Sequence, residues 1–359
     1  MPPRRVGPYE ILSVIGRGGI GTVYRSRHRD SGLLAALKVL GPAPAVDATA
    51  ARRLAREYEV LRSLDHPNVV HVYDAGVHEG YSFLAMELVE GLDLRRYLSP
   101  VIDEGPISDP SFDALDAFSG AATPSHEEHG AEAILALAAM MDEPETEPEG
   151  YPRAALAAFP GPEPSTPPAY ALSPEVRDAL NRPARMLRLR AALLQVADAL
   201  VYIHERGFVH RDIKPTNIMV DDRRVARLMD FGLVRDATDG LSTLTATGRV
   251  VGTYRYMSPE QAQGKAVDAR SDLYSLGVIL YELLAGVPPF AASEPVSLWR
   301  QILSARPLAI STWNPGADAA LAHLAEALLE KDPDRRPQSA EDVVEALSRR
   351  PSAAAGAHA

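Results

Sequence analysis

The run His210-Arg211-Asp212-Ile213-Lys214-Pro215-Thr216-Asn217 places a carboxylate, an ammonium and a carboxamide within one short loop. Asp212 can orient an attacking hydroxyl or accept its proton. Lys214 can neutralise charge on a transferring phosphoryl group, and Asn217 can ligate a metal. Asp230, in Asp230-Phe231-Gly232, stands 13 residues beyond Asn217. A carboxylate at that distance suits a metal ion held against phosphate oxygens. A chance run of these residue types at this spacing is improbable, and the chemistry in view is phosphoryl transfer.

Two upstream features fit the same chemistry. Gly16-Arg17-Gly18-Gly19-Ile20-Gly21-Thr22-Val23 is a glycine-rich turn whose backbone N–H groups can approach phosphate oxygens without Cβ clashes. Alone it would also fit an ordinary hairpin or a dinucleotide fold. Its place between two strands disfavours the dinucleotide reading. Lys38, in Ala36-Leu37-Lys38-Val39, sits on the next strand and can reach an α- or β-phosphate. Taken alone, such a lysine reads as a snorkelling surface residue. It needs an acidic partner, and Glu57 is the candidate on the helix that follows. Glu59 is the alternative, but it points to another face of that helix.

The elements that must position these groups fall into two sets. Strands are expected at Tyr9 to Ile15, Gly21 to Ser26, Leu33 to Leu40, Val69 to Ala75 and Tyr81 to Leu88, with one helix over Asp47 to Leu64. Helical spacing dominates later, at Met186 to Arg206, Ser271 to Ala285, Ala317 to Glu330 and Ser339 to Ser348. A small sheet lobe (about residues 8–90) and a larger helical lobe (about 91–350) with a cleft between them are therefore expected, an α+β arrangement. Residues 351–359 read as a short tail.

Composition narrows the function classes. The chain has 359 residues, of which 46% are hydrophobic and 24% charged, enough for a sizeable core. It has 0 Cys, which excludes disulfides, thiolate metal sites and cysteine nucleophiles. Neither a signal peptide nor a membrane span is expected, which favours a cytoplasmic location. The net charge of −11 is local. Residues 103–183 hold 16 Asp/Glu against 3 Arg and no Lys, with 13 of the 30 Pro, and the remainder is close to neutral. That balance argues against nucleic-acid binding. The segment 103–183 reads as a flexible acidic insert, with docking of a partner as its sharper alternative.

In order and spacing these motifs resemble the eukaryotic-like (Hanks-type) protein kinase family in its bacterial serine/threonine branch. The resemblance runs from about Tyr9 to Arg349 with 103–183 left out. It implies the bilobal protein kinase fold, ATP with Mg²⁺ (Mn²⁺ as a substitute), and protein acceptors. It implies nucleotide contacts at Gly16, Arg17, Gly18, Gly19, Gly21, Val23, Ala36, Lys38, Met86, Glu87, Val89, Asp93 and Met219. Met86-Glu87-Leu88-Val89 matches the gatekeeper and hinge, and Asp93 the ribose contact. Asp212, Lys214, Lys38 and Glu57 would be catalytic, and Asn217 and Asp230 metal ligands. Ser258-Pro259-Glu260 matches the family's A-P-E with Ser for Ala. Asp272 matches the buried aspartate under the catalytic loop, and Arg336 the arginine paired with Glu260. The aligning column would be Leu61, Val72, His210 and Phe231.

The resemblance also separates acceptor types. Lys214 two residues past Asp212, and Thr253 in Gly252-Thr253-Tyr254, match serine/threonine rather than tyrosine enzymes. Arg211 implies a phosphate on the activation loop, and Thr243, Thr245 and Thr247 are the candidate sites among the hydroxyls of 233–251. A monomer or weak homodimer is expected. The rival readings are a partner-activated or pseudokinase-like binding module, a small-molecule phosphotransferase of related fold, and a scaffold centred on the insert. Lys38, Asp212, Asn217 and Asp230 are all present, which disfavours the pseudokinase.

Overall fold

Leu34–Pro42 (β4) shows how the sheet of the first unit is built. Its residues alternate between two faces. Ala35, Leu37 and Val39 pack with Val6, Tyr9, Tyr24, Phe83 and Ala85 in one apolar cluster. Ala36 and Lys38, one residue out of phase, belong to the opposite face. The neighbouring strands are Arg5–Val6 (β1), Tyr9–Arg17 (β2), Thr22–His28 (β3), Val72–His78 (β5) and Tyr81–Glu87 (β6). They form one antiparallel sheet in the order β1-β2-β3-β4-β6-β5.

The computed structural model describes residues 4–17, 21–42, 54–55, 58–99, 172–230, 254–292 and 295–349. Two units hold them: residues 4–90, and residues 91–99 with 172–349. The expected strands occur within a few residues of their predicted bounds. Within the expected helix 47–64, residues 54–55 and 58–61 are helical, with Leu54, Tyr58 and Leu61 buried as its spacing implied.

The second unit begins with Gly91–Asp93 (β7) and Leu94–Tyr97 (α1). Two more helices, Pro174–Leu180 (α2) and Pro183–Glu205 (α3), precede the hairpin of Ile218–Asp221 (β8) and Ala226–Leu228 (β9). β7, β8 and β9 make a small antiparallel sheet. Then follow Pro259–Ala262 (α4), Ala269–Ala285 (α5), Pro295–Ser304 (α6), Ile310–Trp313 (α7), Ala319–Leu328 (α8) and Ala340–Ser348 (α9). α5 is the core helix, buried over nearly its whole circumference. A Cβ on its Gly277 would lie 2.6 Å from Leu328 Cβ, so glycine lets α5 and α8 close together. Among the described residues no helix is long and apolar enough to cross a membrane.

One departure from the sequence reading has a local cause. Residues 172–183 share the composition of the acidic insert, yet α2 is folded against the core. Ser173 caps it by accepting from Val176 N at 3.4 Å, Pro174 occupies its first turn, and Ala179 and Leu180 are buried. Its Pro and acidic residues are those of a helix N-terminus, which composition alone cannot tell from a loop. Residues 100–171, the greater part of the insert, lie outside the described residues. Arg185, in the first turn of α3, is only 2% exposed. Its guanidinium donates to the carbonyls of Leu98, Leu180 and Leu283, each at 2.8 Å. Burial lowers its pKa to about 10. One side chain thus ties the ends of α1, α2 and α5 together, on both sides of residues 100–171.

Candidate active site

In the first unit the strand register assembles one face. Gly16 pairs with Val23, and Val23 pairs with Lys38. Ala36, two residues before Lys38 on the same strand, pairs with Met86. Cross-strand partners and i, i+2 residues share a face. Gly16, Val23, Lys38, Ala36 and Met86 therefore lie together, with Arg17 and Gly21 at the turn beside them. Ala36 and Met86 are buried, and Val23 and Lys38 half-buried. A Cβ on Gly21 would collide with the Val39 carbonyl oxygen, which explains glycine there. Glu87 closes β6, its N–H donating to His71 O at 2.8 Å. Val89 follows it, half-buried. Gly18, Gly19 and Glu57 lie outside the described residues.

In the second unit the loop 208–217 is held from below by α5. Asp272, fully buried near the start of α5, accepts the N–H of His210 and of Arg211, each at 2.8 Å, and meets His204 Nε2 at 2.9 Å. Arg211 is left-handed, with φ 66°. Such a residue costs on the order of 1 kcal/mol and persists only where the surroundings over-determine it. The two N–H bonds to Asp272 do so here. The His210 ring is buried and its Nε2 lies 3.1 Å from Met229 O. Burial lowers the His210 pKa against the opposing pull of Asp272.

The polar side chains converge above this support. Lys214 Nζ lies 2.6 Å from Asp212 Oδ2. Asn217 Nδ2 donates to Asp212 Oδ2 at 3.0 Å and to the Asp212 carbonyl at 2.9 Å. The same nitrogen reaches Asp230 O at 3.5 Å, and Met229 N donates to Asn217 O at 2.8 Å. Asp230 is also left-handed, with φ 51°. Asp212, Lys214, Asn217 and Asp230 are thus brought together. Met219 pairs with Asp93 across β7 and β8, and Asp93 caps α1 by accepting from Arg96 N at 3.0 Å. Phe231, Thr243, Thr245, Thr247 and Thr253 lie outside the described residues.

Beside the loop, Glu260 and Arg336 form a buried two-pronged ion pair, at 2.7 and 2.8 Å. Burial pushes the Glu260 carboxyl up, but the Arg336 guanidinium outweighs it, so its pKa falls below the ordinary value. Gln261 was not singled out from sequence, yet it joins this corner to the loop. Its Nε2 donates to Arg211 O at 2.9 Å while its Oε1 accepts from Ser258 N at 3.0 Å. The capping box Ser258-Pro259-Glu260-Gln261 was the readable signal for it. His204, which meets Asp272, had no such signal, since only the tertiary fold brings it there.

Comparison with known proteins gives the family and the fold. A family model described as protein tyrosine and serine/threonine kinase matches residues 9–347. A Streptomyces coelicolor protein named "Probable serine/threonine-protein kinase SCO3848" is 33% identical over 95% of this chain and 40% of its own length. Serine/threonine-protein kinase PknB of Mycobacterium tuberculosis is 31% identical over 93% of this chain and 41% of its own length. The chain thus spans about two fifths of the length of these relatives. The solved kinase domain of Mycobacterium tuberculosis PknI superposes with a TM-score of 0.56 at 23% identity, covering 96% of this chain and 96% of that one. That likeness supports the fold, an antiparallel-sheet lobe and a helical lobe. Because the family model takes in nearly all of the chain, with the loop 208–217 and Glu260–Arg336 inside it, the chain belongs to the protein tyrosine and serine/threonine kinase family.

Proposed function

We propose that this chain is a serine/threonine protein kinase that moves the γ-phosphate of ATP to protein hydroxyls. The observation that carries the reading is the cluster of Lys214, Asp212 and Asn217. The Asp212 carboxylate is pinned by Lys214 at 2.6 Å and Asn217 at 3.0 Å, so it is oriented before any acceptor arrives. It would hold the acceptor hydroxyl and take its proton, while the Lys214 ammonium stabilises charge on the transferring group.

The donor set fits a hard divalent cation. Asn217 commits its amide nitrogen to Asp212, leaving its carboxamide oxygen free to act as a ligand, and the Asp230 carboxylate would supply the second oxygen. Two oxygen ligands suit Mg²⁺, which takes its remaining ligands from phosphates and water. Asn217 and Asp230 would hold such a cation, which when bound supplies positive charge to offset that of the phosphates. Lys38, on the face with Val23, Ala36 and Met86, would grip the nucleotide, with Glu57 as its partner.

Arg211 supports activation-loop phosphorylation. Among the described residues its buried Nε has no hydrogen-bond partner. Such a donor suits a phosphate on Thr243, Thr245 or Thr247. Residues 100–171 would serve as a docking segment outside the transfer step, and the chain would act as a cytoplasmic monomer or weak homodimer. The test is transfer of labelled phosphate from ATP to myelin basic protein, beside Lys38→Met. Label on Ser/Thr in the wild type alone supports the reading, and equal label in both overturns it.

A further inference from the structure

Lys331 is a buried amine that the transfer reaction does not use. Its Nζ donates to the carbonyls of Ile302 at 2.7 Å and Gln301 at 3.3 Å, both in the last turn of α6. It lies 3.4 Å from Tyr274 Oη on α5 and 4.0 Å from the centre of the Phe290 ring. Among the described residues no carboxylate bonds to it. The charged groups facing it are the Arg336 guanidinium, which opposes its charge, and Glu330, which favours it. Tyr274 is the remaining titratable neighbour. Burial is the larger cause, and together they lower the Lys331 pKa to about 7.

The seat accepts both forms of the amine. An ammonium can donate to the two carbonyls and to Tyr274 Oη. A neutral amine can donate to the two carbonyls and accept from the Tyr274 hydroxyl. The two forms differ in cost, because burial penalises only the charged one. Any movement of α6 away from this seat gives Lys331 water and restores its affinity for the proton. Protonation therefore favours the loosened helix, and loss of the proton favours the seated one.

On the kinase reading, α6 borders the segment that would receive the protein acceptor. The Trp299 ring meets the Tyr254 ring edge-on at 6.2 Å, and α6 packs on α4, which carries Glu260. Residues 254–262 are the segment that directly follows the activation loop.

We propose that Lys331 is a positioning residue for the acceptor, a proton-linked anchor that seats α6 through the Gln301 and Ile302 carbonyls and so sets the affinity for protein substrates. This rests on the kinase reading and adds regulation to it. Acidification loosens α6 and raises the acceptor KM, while ATP, bound elsewhere, keeps its KM.

The test is steady-state kinetics with myelin basic protein at about pH 6 and about pH 8.5. The wild type should show an acceptor KM about three- to tenfold higher at the lower pH, with the ATP KM unchanged. Lys331→Met, permanently neutral, should give an acceptor KM that no longer changes between the two values. Lys331→Arg, permanently charged, should keep the high KM. Lys331→Gln serves as the second neutral variant if Lys331→Met does not fold. An acceptor KM in the wild type that does not change with pH, or the same change in a neutral variant, overturns the proposal. Absence of any transfer by the wild type overturns the kinase reading instead.

Discussion

The buried carboxylate of Asp272 holds the backbone N–H of Arg211 at 2.8 Å, in a left-handed conformation with φ 66°. The residue next to Arg211 in the chain is Asp212, so a helix-borne carboxylate sets the direction of the candidate base. Asp272→Ala should lower kcat by about 100-fold through a misplaced loop. It should also cost about 2–4 kcal/mol, because two N–H groups and His204 lose their partner. Kinetics and urea unfolding of the same preparation check both.

The Glu260–Arg336 pair predicts an asymmetric mutational pattern. Glu260→Leu leaves the Arg336 guanidinium buried and unpaired, a loss of about 3–5 kcal/mol. Adding Arg336→Met should recover part of that loss, which a double-mutant cycle reads directly. The pair also predicts acid sensitivity. The Glu260 pKa is lower in the folded chain, so its contribution is present above the ordinary carboxylate value and is lost as pH falls through the folded one. Glu260→Gln should flatten the stability profile in that acid range.

Lys331 gives the same direction of pH dependence in a higher window. Its pKa of about 7 lies below the ordinary 10.5, so between these values the unfolded chain binds more protons. Stability should therefore rise with pH from about 7, by on the order of 2 kcal/mol at pH 8.5 from this group. Lys331→Met should lose that rise, as chemical unfolding at the two pH values would show.

Arg185 predicts that residues 101–171 are dispensable for folding. One guanidinium holds Leu98 O and Leu180 O at 2.8 Å each, so a short Gly/Ser linker can join the flanks. The linker variant should melt within about 3 °C of the wild type. Arg185→Met in either chain should cost about 2–4 kcal/mol, since three buried carbonyls lose their donor.

The two lobes and the loop 208–217 were legible because their signals are local. Apolar alternation marks β2 to β6, and a contiguous run marks the loop. Asp272 and the Glu260–Arg336 pair came through family resemblance, since their partners are distant in sequence. β1, β7, β8 and β9 are 2–4 residues long, too short for alternation to show. Arg185, His204 and Lys331 escaped for a different reason. A buried cation bound to carbonyls, or a histidine beside a distant aspartate, leaves no pattern in sequence, because its partners are backbone atoms or residues brought together only by folding.

The most direct measurement of phosphoryl transfer is phosphosite mapping after incubation with ATP and Mg²⁺, comparing wild type with Asp212→Asn at matched nucleotide occupancy. Phosphate on Ser or Thr in the wild type, with at least about a 100-fold loss in Asp212→Asn and ATP binding retained, is the expected result. Equal phosphate in both proteins, or ATP binding without transfer by the wild type to itself or to myelin basic protein, would contradict it.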